Sequence, residues 1–144
     1  MMSDVVEEFR LRIPNSVQAM QDVMAESEAW LQQHEGGAEF GMLVTLAIEE
    51  LVTNCIKYAY DDSNEHLIDI RIQLVAGTLT LEIADDGHPF DPLQAPQPDL
   101  EASLEERTIG GLGLYMLKEM TDSMDYQRRD NCNVVTLRKS RAAV

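Results

Sequence analysis

The sequence predicts an α+β fold, a two-layer α/β sandwich in which a mixed, mainly antiparallel sheet carries helices on one face. Short segments that alternate apolar and polar residues recur along the chain, as half-buried strands do, and longer segments repeat apolar residues at helical spacing. These segments follow one another as β-α-α-β-β, then a long irregular stretch, then α-β-β, so neighbouring strands can pair locally. The 144 residues suit a single domain over residues 1–144.

The first half of the chain supplies one strand and two helices. Alternation over residues 8–13 (EFRLRI) predicts a short strand. Asn15 or Ser16 can cap a helix over about residues 17–33, because both side chains can accept a hydrogen bond from a free backbone N–H group. A second helix is predicted over about residues 40–60.

The second half begins with a hairpin and ends with another. Strands over about residues 66–75 and 78–84 alternate apolar and polar residues, and Ala76-Gly77 joins them. Residues 88–108 show little apolar periodicity and hold four of the five prolines, and ordered loops of this length are usually functional. The remaining elements are a helix from Gly110 and two strands over about residues 124–128 and 134–138, joined by Asp130-Asn131.

Composition narrows the class of partner. The chain has 26 acidic against 11 basic residues and a net charge of -15, whereas nucleic acids and anionic membranes bind basic surfaces, so neither is expected. No apolar run approaches about 18 residues and the first residues lack a signal segment, so we expect a cytoplasmic protein. Cys55 and Cys132 lack a CxxC partner and are interpreted as small core or half-buried residues in a reducing compartment.

A polar stripe crosses the second predicted helix within AIEELVTNCIKYAY, residues 47–60. Residues four apart on a helix have Cβ atoms about 5–6 Å apart, so Glu50 and Asn54 can point into one pocket, with Lys57 following them. Asn is unfavourable inside a helix, and a buried amide must find hydrogen-bond partners. The stripe indicates a functional pocket, and the alternative is the solvated edge of an amphipathic helix.

A second motif, ADDGHPFDP over residues 84–92, follows the second strand of the first hairpin. Asp85 at the strand end could accept a hydrogen bond from an exocyclic amine such as that of adenine. Gly87 would let the backbone come close to a flat ring. The alternative is an ordinary turn, because Asp, Gly and Pro all favour turns.

A third motif, TIGGLGLYML over residues 108–117, places three glycines at the start of a helix. Glycine costs about 1 kcal/mol relative to Ala inside a helix, so this placement needs a reason. Free N–H groups and the positive end of the helix dipole form an anion site, which suits phosphate. The spacing is neither the Rossmann nor the P-loop pattern, and a flexible hinge is the alternative.

Taken together and in this order, the three motifs resemble the nucleotide-binding boxes of the GHKL (Bergerat-fold) superfamily, named for gyrase, the ninety-kilodalton heat-shock chaperone, histidine kinases and MutL. The resemblance covers about residues 8–139. Within the superfamily, AIEELVTNCIKYAY, DDGHPFDP and GGLGLYMLKEMTD are most similar to the boxes of the bacterial anti-sigma-factor serine/threonine-protein kinases. It implies a nucleotide between helices and sheet, under an ATP lid over about residues 88–110.

The resemblance also implies a role for each matched residue. Glu50 would be the catalytic carboxylate that orients a hydroxyl and takes its proton, and Asn54 would bind Mg²⁺ through its amide oxygen. Asp85 would accept from the adenine amino group, Gly87 would let the base approach, and Pro89 stands where many relatives have a second glycine. The groups implied to bind the phosphates are the side chains of Lys57 and Arg107 and the backbone N–H groups of Gly110, Gly111, Leu112, Gly113 and Leu114.

The function implied is an ATP-dependent serine-protein kinase that acts as an anti-sigma factor in a bacterial partner-switching circuit. Its substrate would be a STAS-domain anti-anti-sigma protein, a sigma factor would be a second partner, and the family implies a homodimer. Two other functions stay open, namely a nucleotide-gated protein-binding module and a simple ATPase. Glu50 favours catalysis over a binding module, because a serine hydroxyl or a water must lose a proton as it attacks.

Overall fold

A computed structural model of the chain describes residues 5–94 and 111–141. The main elements follow the predicted order, and short 3₁₀ turns occur at Ala38–Phe40 and Pro92–Gln94. The strands are β1 (Glu7–Pro14), β2 (Leu67–Val75), β3 (Thr78–Asp85), β4 (Ser123–Arg129) and β5 (Cys132–Ser140), and the helices are α1 (Val17–Gln33), α2 (Gly41–Tyr58) and α3 (Gly111–Met120). The predicted elements are therefore confirmed to within a few residues at their ends.

The five strands form one sheet in the order β1-β2-β3-β5-β4. The α+β fold class is confirmed, and the four pairings in the described part of the chain are all antiparallel rather than mixed. Two tight turns close the hairpins, with φ of 49° and 81° at Ala76 and Gly77 and of 54° and 62° at Asp130 and Asn131. Positive φ at both central residues gives a turn whose twist matches that of the strands it joins.

The three helices share one core with the sheet. Alternate residues of β2 and β3 are buried, as the period of two in their sequences predicts. The core includes Ile70 and Ile72 of β2, Leu81 and Ile83 of β3, Ile48 and Val52 of α2, and Leu117 of α3. Residues between them in the strands are polar and pair with one another, as Arg10 does with Asp69 at 2.7 Å. The helices thus cover one face, as expected.

The start of β2 is tied to the turn that follows β1. The Asn15 side chain accepts a hydrogen bond from the His66 N–H group at 3.0 Å, and the Asn15 N–H group donates to the His66 carbonyl at 3.0 Å. With Asn15 engaged in this way, the next residue, Ser16, caps α1, and its hydroxyl accepts a hydrogen bond from the Ala19 N–H group at 3.1 Å. Because Ile68 of β2 pairs with Asp85, these contacts also hold the end of β3 in place.

None of the helices in the two described ranges is long and apolar enough to span a membrane.

Candidate functional site

An open pocket of about 270 Å³, measured with its mouth, lies between α2 and the adjoining ends of β3 and β5. The lining residues are Leu51, Asn54 and Cys55 of α2, Ile83 and Asp85 of β3, Phe90 and Pro92 of the following turn, and Asn133 and Val135 of β5. The lining is mostly apolar, with a carboxyl group, a thiol and two amides that can orient a ligand.

Asp85 lines this pocket and is only 5% exposed. One carboxyl oxygen, Oδ1, accepts hydrogen bonds from the Gly87 N–H group and from Asn133 Nδ2, both at 2.9 Å. The other oxygen, Oδ2, accepts from the Cys55 thiol at 3.2 Å. Three donors from three elements therefore fix the carboxyl group at the position the second motif predicted.

Asn133 is 2% exposed and lies directly opposite Asp85 in the pairing of β3 with β5. Besides donating to Asp85, its Nδ2 atom donates to the His88 carbonyl at 2.8 Å. Its oxygen accepts from the Phe90 N–H group at 3.1 Å, the Tyr126 hydroxyl at 2.6 Å and Arg128 Nη1 at 3.1 Å. The side chain thus joins the end of β3, the turn after it and β4.

The start of α3 approaches α2 at Glu50. A Cβ atom on Gly113 would overlap the Glu50 carboxyl group, so a larger residue at position 113 would require the flexible Glu50 side chain to move. Glu50 is half-buried, and burial followed by the charge of Glu49 raises the pKa of its carboxyl group, while Lys57 lowers it. Because Asn54 lies one turn further along α2 and lines the pocket, the first and third motifs meet at the pocket's edge.

Gly87 presses the turn after β3 against the end of α2. A Cβ atom at this position would overlap the carbonyl oxygen and the Cβ atom of Ala59. The His88 N–H group donates to the same carbonyl at 2.9 Å. This bond satisfies one of the carbonyl groups that have no partner within the helix at its C-terminal end. The close approach that was predicted for Gly87 is therefore made to protein backbone, and its approach to a bound base stays a prediction.

The remaining predicted residues lie around this centre or outside the described ranges. Lys57 is exposed in the last turn of α2 and does not line the pocket, and Pro89 is exposed between His88 and Phe90. Gly111 is the first residue of α3, and Leu114 packs its side chain into the core. Leu112 lies half-buried in the first turn of α3. Arg107, Gly110 and most of the predicted lid lie outside the described residues. The roles of Arg107 and Gly110 therefore stay predictions.

Four residues of the site were not predicted. Asn133 was placed just before the last strand, Tyr126 and Arg128 were seen only as strand residues, and Cys55 was interpreted as a core residue. Cys55 is a buried free thiol, and burial followed by the neighbouring Asp85 raises its pKa, so it stays protonated as a donor. One signal pointed to Asn133, since Asn is uncommon inside a strand.

His66 joins the segment that follows α2 to the turn that follows β3. Its Nε2 atom lies 2.8 Å from Asp62 Oδ1, and its Nδ1 atom lies 3.2 Å from Asp86 Oδ1. Its ring stacks on the Tyr60 ring, with 4.3 Å between the ring centres. The Asp62 contact raises the pKa of His66, and Asp86 adds to it. The Tyr60 hydroxyl is buried with no hydrogen-bond partner among the described residues, and burial raises its pKa.

Comparison with known proteins agrees with this geometry. Residues 13–139 match the model of the histidine kinase-like ATPase domain family. The chain belongs to this family, which confirms the resemblance drawn from the three motifs.

Among individual proteins, the chain is similar to serine/threonine-protein kinase BtrW of Bordetella bronchiseptica, at 32% identity over 100 residues, which is 69% of this chain and 70% of BtrW. It is 29% identical over 94 residues to serine-protein kinase RsbW of Bacillus subtilis, covering 62% of this chain and 58% of RsbW. It is 30% identical over 88 residues to an anti-sigma F factor of Clostridium botulinum, covering 56% and 57%. The last two alignments span little more than half of each relative.

A crystal structure of the RsbU and RsbW domains of a Mycobacterium tuberculosis protein superimposes with a TM-score of 0.64. The match covers 96% of this chain and 35% of the larger one, at 16% identity. This likeness supports the fold.

The two glycines of the site predict different responses to an added methyl group. Gly87→Ala should lower the free energy of unfolding by about 1–3 kcal/mol, because the new Cβ meets the backbone of Ala59. Gly113→Ala should change it by less than about 1 kcal/mol, because a flexible Glu50 side chain can move and Ala favours a helix. Urea denaturation measures both, and equal losses would contradict the described packing.

The raised pKa of His66 predicts that its contribution to the free energy of unfolding depends on pH. Its pKa is raised in the folded state, so its contribution is fully present below the unfolded pKa of about 6.5 and is lost as pH rises through the higher folded value. The melting temperature of the wild type should therefore exceed that of His66→Gln by more at about pH 6 than at about pH 9. A difference that stays constant across this range would show that the charge of His66 does not stabilise the fold.

Proposed function

We propose that the chain is an ATP-dependent serine-protein kinase that acts as an anti-sigma factor in a bacterial partner-switching circuit. The observation that carries the proposal is the position of Glu50, whose half-buried carboxyl group lies against Gly113 at the glycine-rich start of α3. A carboxylate at a helix start that is suited to bind phosphate has a chemical use, since it can assist a hydroxyl that attacks there.

The polar groups of the site follow the order of the parts of a nucleotide. Asp85 is one of the residues that line the mostly apolar pocket, and the adenine base is proposed to lie beside it. Asn54 lines the same pocket, and Glu50 lies four residues back along α2, about 6 Å along the helix axis. From the base end to the phosphate end, the sequence of groups is thus acceptor, amide and carboxylate.

The site also fits ATP and Mg²⁺ in its donors. The Asn54 amide oxygen is the kind of hard oxygen ligand that Mg²⁺ takes together with phosphate oxygens and water, and the bound ion would neutralise charge on the triphosphate. The first N–H groups of α3 are the groups to which the proposal assigns the phosphates, because the start of a helix favours an anion. The implied roles of Lys57, Arg107 and Gly110 in binding phosphate belong to this proposal.

Glu50 has the environment of a proton acceptor. Burial raises the pKa of its carboxyl group, which makes it a stronger base than an exposed glutamate. A serine hydroxyl placed beside it would be oriented by a hydrogen bond, and its proton would pass to Glu50 late, as the phosphoryl group is transferred. Activity should accordingly rise with pH through the raised pKa of Glu50.

The proposed partners rest on the family resemblance of the three motifs, and the names of the relatives support a regulatory kinase. Two of them are named serine-type protein kinases and a third is named an anti-sigma F factor. We therefore propose a serine of a STAS-domain anti-anti-sigma protein as the phosphate acceptor, a sigma factor as the second partner, and a homodimer as the working form. The strongly acidic chain would suit partners with a basic face.

One assay distinguishes a kinase from the two other functions, a simple ATPase and a nucleotide-gated binding module. The chain is incubated with γ-labelled ATP, Mg²⁺ and the STAS-domain protein encoded beside it. Label on the partner supports the kinase, released phosphate without labelled partner indicates an ATPase, and neither product with retained nucleotide binding indicates a nucleotide-gated module.

Glu50→Gln should abolish transfer of label to the partner while changing the affinity for ADP by less than about threefold, because the carboxamide keeps the size of the side chain but cannot take a proton. Glu49→Gln is the matched control, since Glu49 is the exposed neighbour on the same helix, and this variant should remain active. Full transfer in Glu50→Gln would remove Glu50 from the reaction.

A further inference from the structure

We propose that Asn133 is a positioning residue, which fixes the Asp85 carboxyl group for recognition of the base, and that Tyr126 and Arg128 lock Asn133 in its orientation. The inference rests on the proposed function, in that the pocket binds an adenine nucleotide. It gives a role to three residues, two in β4 and one in β5, that lie outside the three sequence motifs.

The amide of Asn133 has only one orientation that satisfies its surroundings. Its Nδ2 atom faces two acceptors, the Asp85 carboxyl group and the His88 carbonyl. Its oxygen faces three donors, which are the Phe90 N–H group, the Tyr126 hydroxyl and Arg128 Nη1. A flipped amide would keep only a bond to the Tyr126 hydroxyl, which can also accept, and would lose the other four in a buried site, where each unpaired group costs free energy.

This fixed amide decides how much of Asp85 is free for a ligand. A carboxyl group offers about four acceptor positions, two on each oxygen. Oδ1 uses both of its positions on Gly87 and Asn133, and Oδ2 uses one on Cys55. Among the residues that the structure describes, one position on Oδ2 has no donor, so the pocket can accept one N–H group from a base and disfavours a base that places a carbonyl there.

The same hydrogen bonds hold the wall of the pocket. Arg128 Nη1 donates to the Gly87 carbonyl at 2.8 Å, and Asn133 binds the turn at His88 and Phe90. Because Phe90 lines the pocket, the carboxyl group and the wall beside it are fixed by one buried side chain. Loss of that side chain's donors should therefore weaken both the affinity for adenine and its discrimination.

The test measures ADP and IDP binding by calorimetry on the wild type and on variants. IDP carries a carbonyl group where ADP carries the exocyclic amine, so the ratio of the two dissociation constants reports the orientation of Asp85. Asn133→Asp keeps the shape but removes both Nδ2 donors and places a second carboxyl group beside Asp85. We expect about a tenfold or greater loss of ADP affinity and a ratio that falls toward one.

Two further variants keep the test clear if Asn133→Asp fails to fold. Arg128→Gln should weaken ADP binding by about threefold to tenfold and lower the preference over IDP, because Asn133 and the Gly87 carbonyl lose a donor. Arg129→Gln is the control, since this neighbour removes the same charge but pairs with Glu82, at 3.5 Å, on the sheet. It should leave the ratio unchanged.

The outcomes separate this inference from the proposed function. A wild type that binds no adenine nucleotide would overturn both. A wild type that prefers ADP, with an unchanged ratio in folded Asn133→Asp or in Arg128→Gln, would overturn the positioning role alone, even if the melting temperature of these variants falls. A ratio that falls in Arg128→Gln and not in Arg129→Gln supports it.

Discussion

The close approach of α3 to α2 at Gly113 is the constraint on which the site depends. The Glu50 carboxyl group occupies the space that any other residue at position 113 would need for its Cβ atom. This contact joins a helix that carries polar side chains to a helix start that offers N–H groups. A second glycine, Gly87, joins the turn after β3 to the end of α2, and here the space for a Cβ atom is taken by the Ala59 backbone rather than by a flexible side chain. The residues between these contacts along α2 include Asn54 and Cys55, which line the pocket.

Burial of polar groups explains why the pocket has a defined chemistry. Asp85 and Asn133 are among the few buried polar residues in the described part of the chain, and they bind each other across neighbouring strands. A buried polar group is tolerated when its hydrogen bonds are satisfied, and such networks hold side chains rigidly. Here the partners are a thiol, two backbone segments and two β4 side chains, so one carboxyl orientation is selected at the end of a mainly apolar cavity.

The sequence was sufficient for most of the fold because the decisive signals were local. Alternation in β2 and β3, the Ala76-Gly77 and Asp130-Asn131 turns and the helical spacing of α2 depend only on neighbours along the chain. Asp85, Asn54 and Glu50 were also predicted, because each belongs to a short motif. Asn133, Tyr126 and Arg128 were missed because their roles arise from strand register, which places Asn133 opposite a residue 48 positions earlier. Cys55 was missed because a thiol that donates to a carboxylate has the same sequence signal as a core cysteine.

The most direct test of the account is a crystal structure of the chain with Mg²⁺ and a non-hydrolysable ATP analogue. The account predicts the adenine amine about 3 Å from Asp85 Oδ2, the metal ion bound by the Asn54 amide oxygen, and the terminal phosphate between Glu50 and the first turn of α3. A nucleotide bound elsewhere, or a base in this pocket with its amine turned away from Asp85, would contradict it.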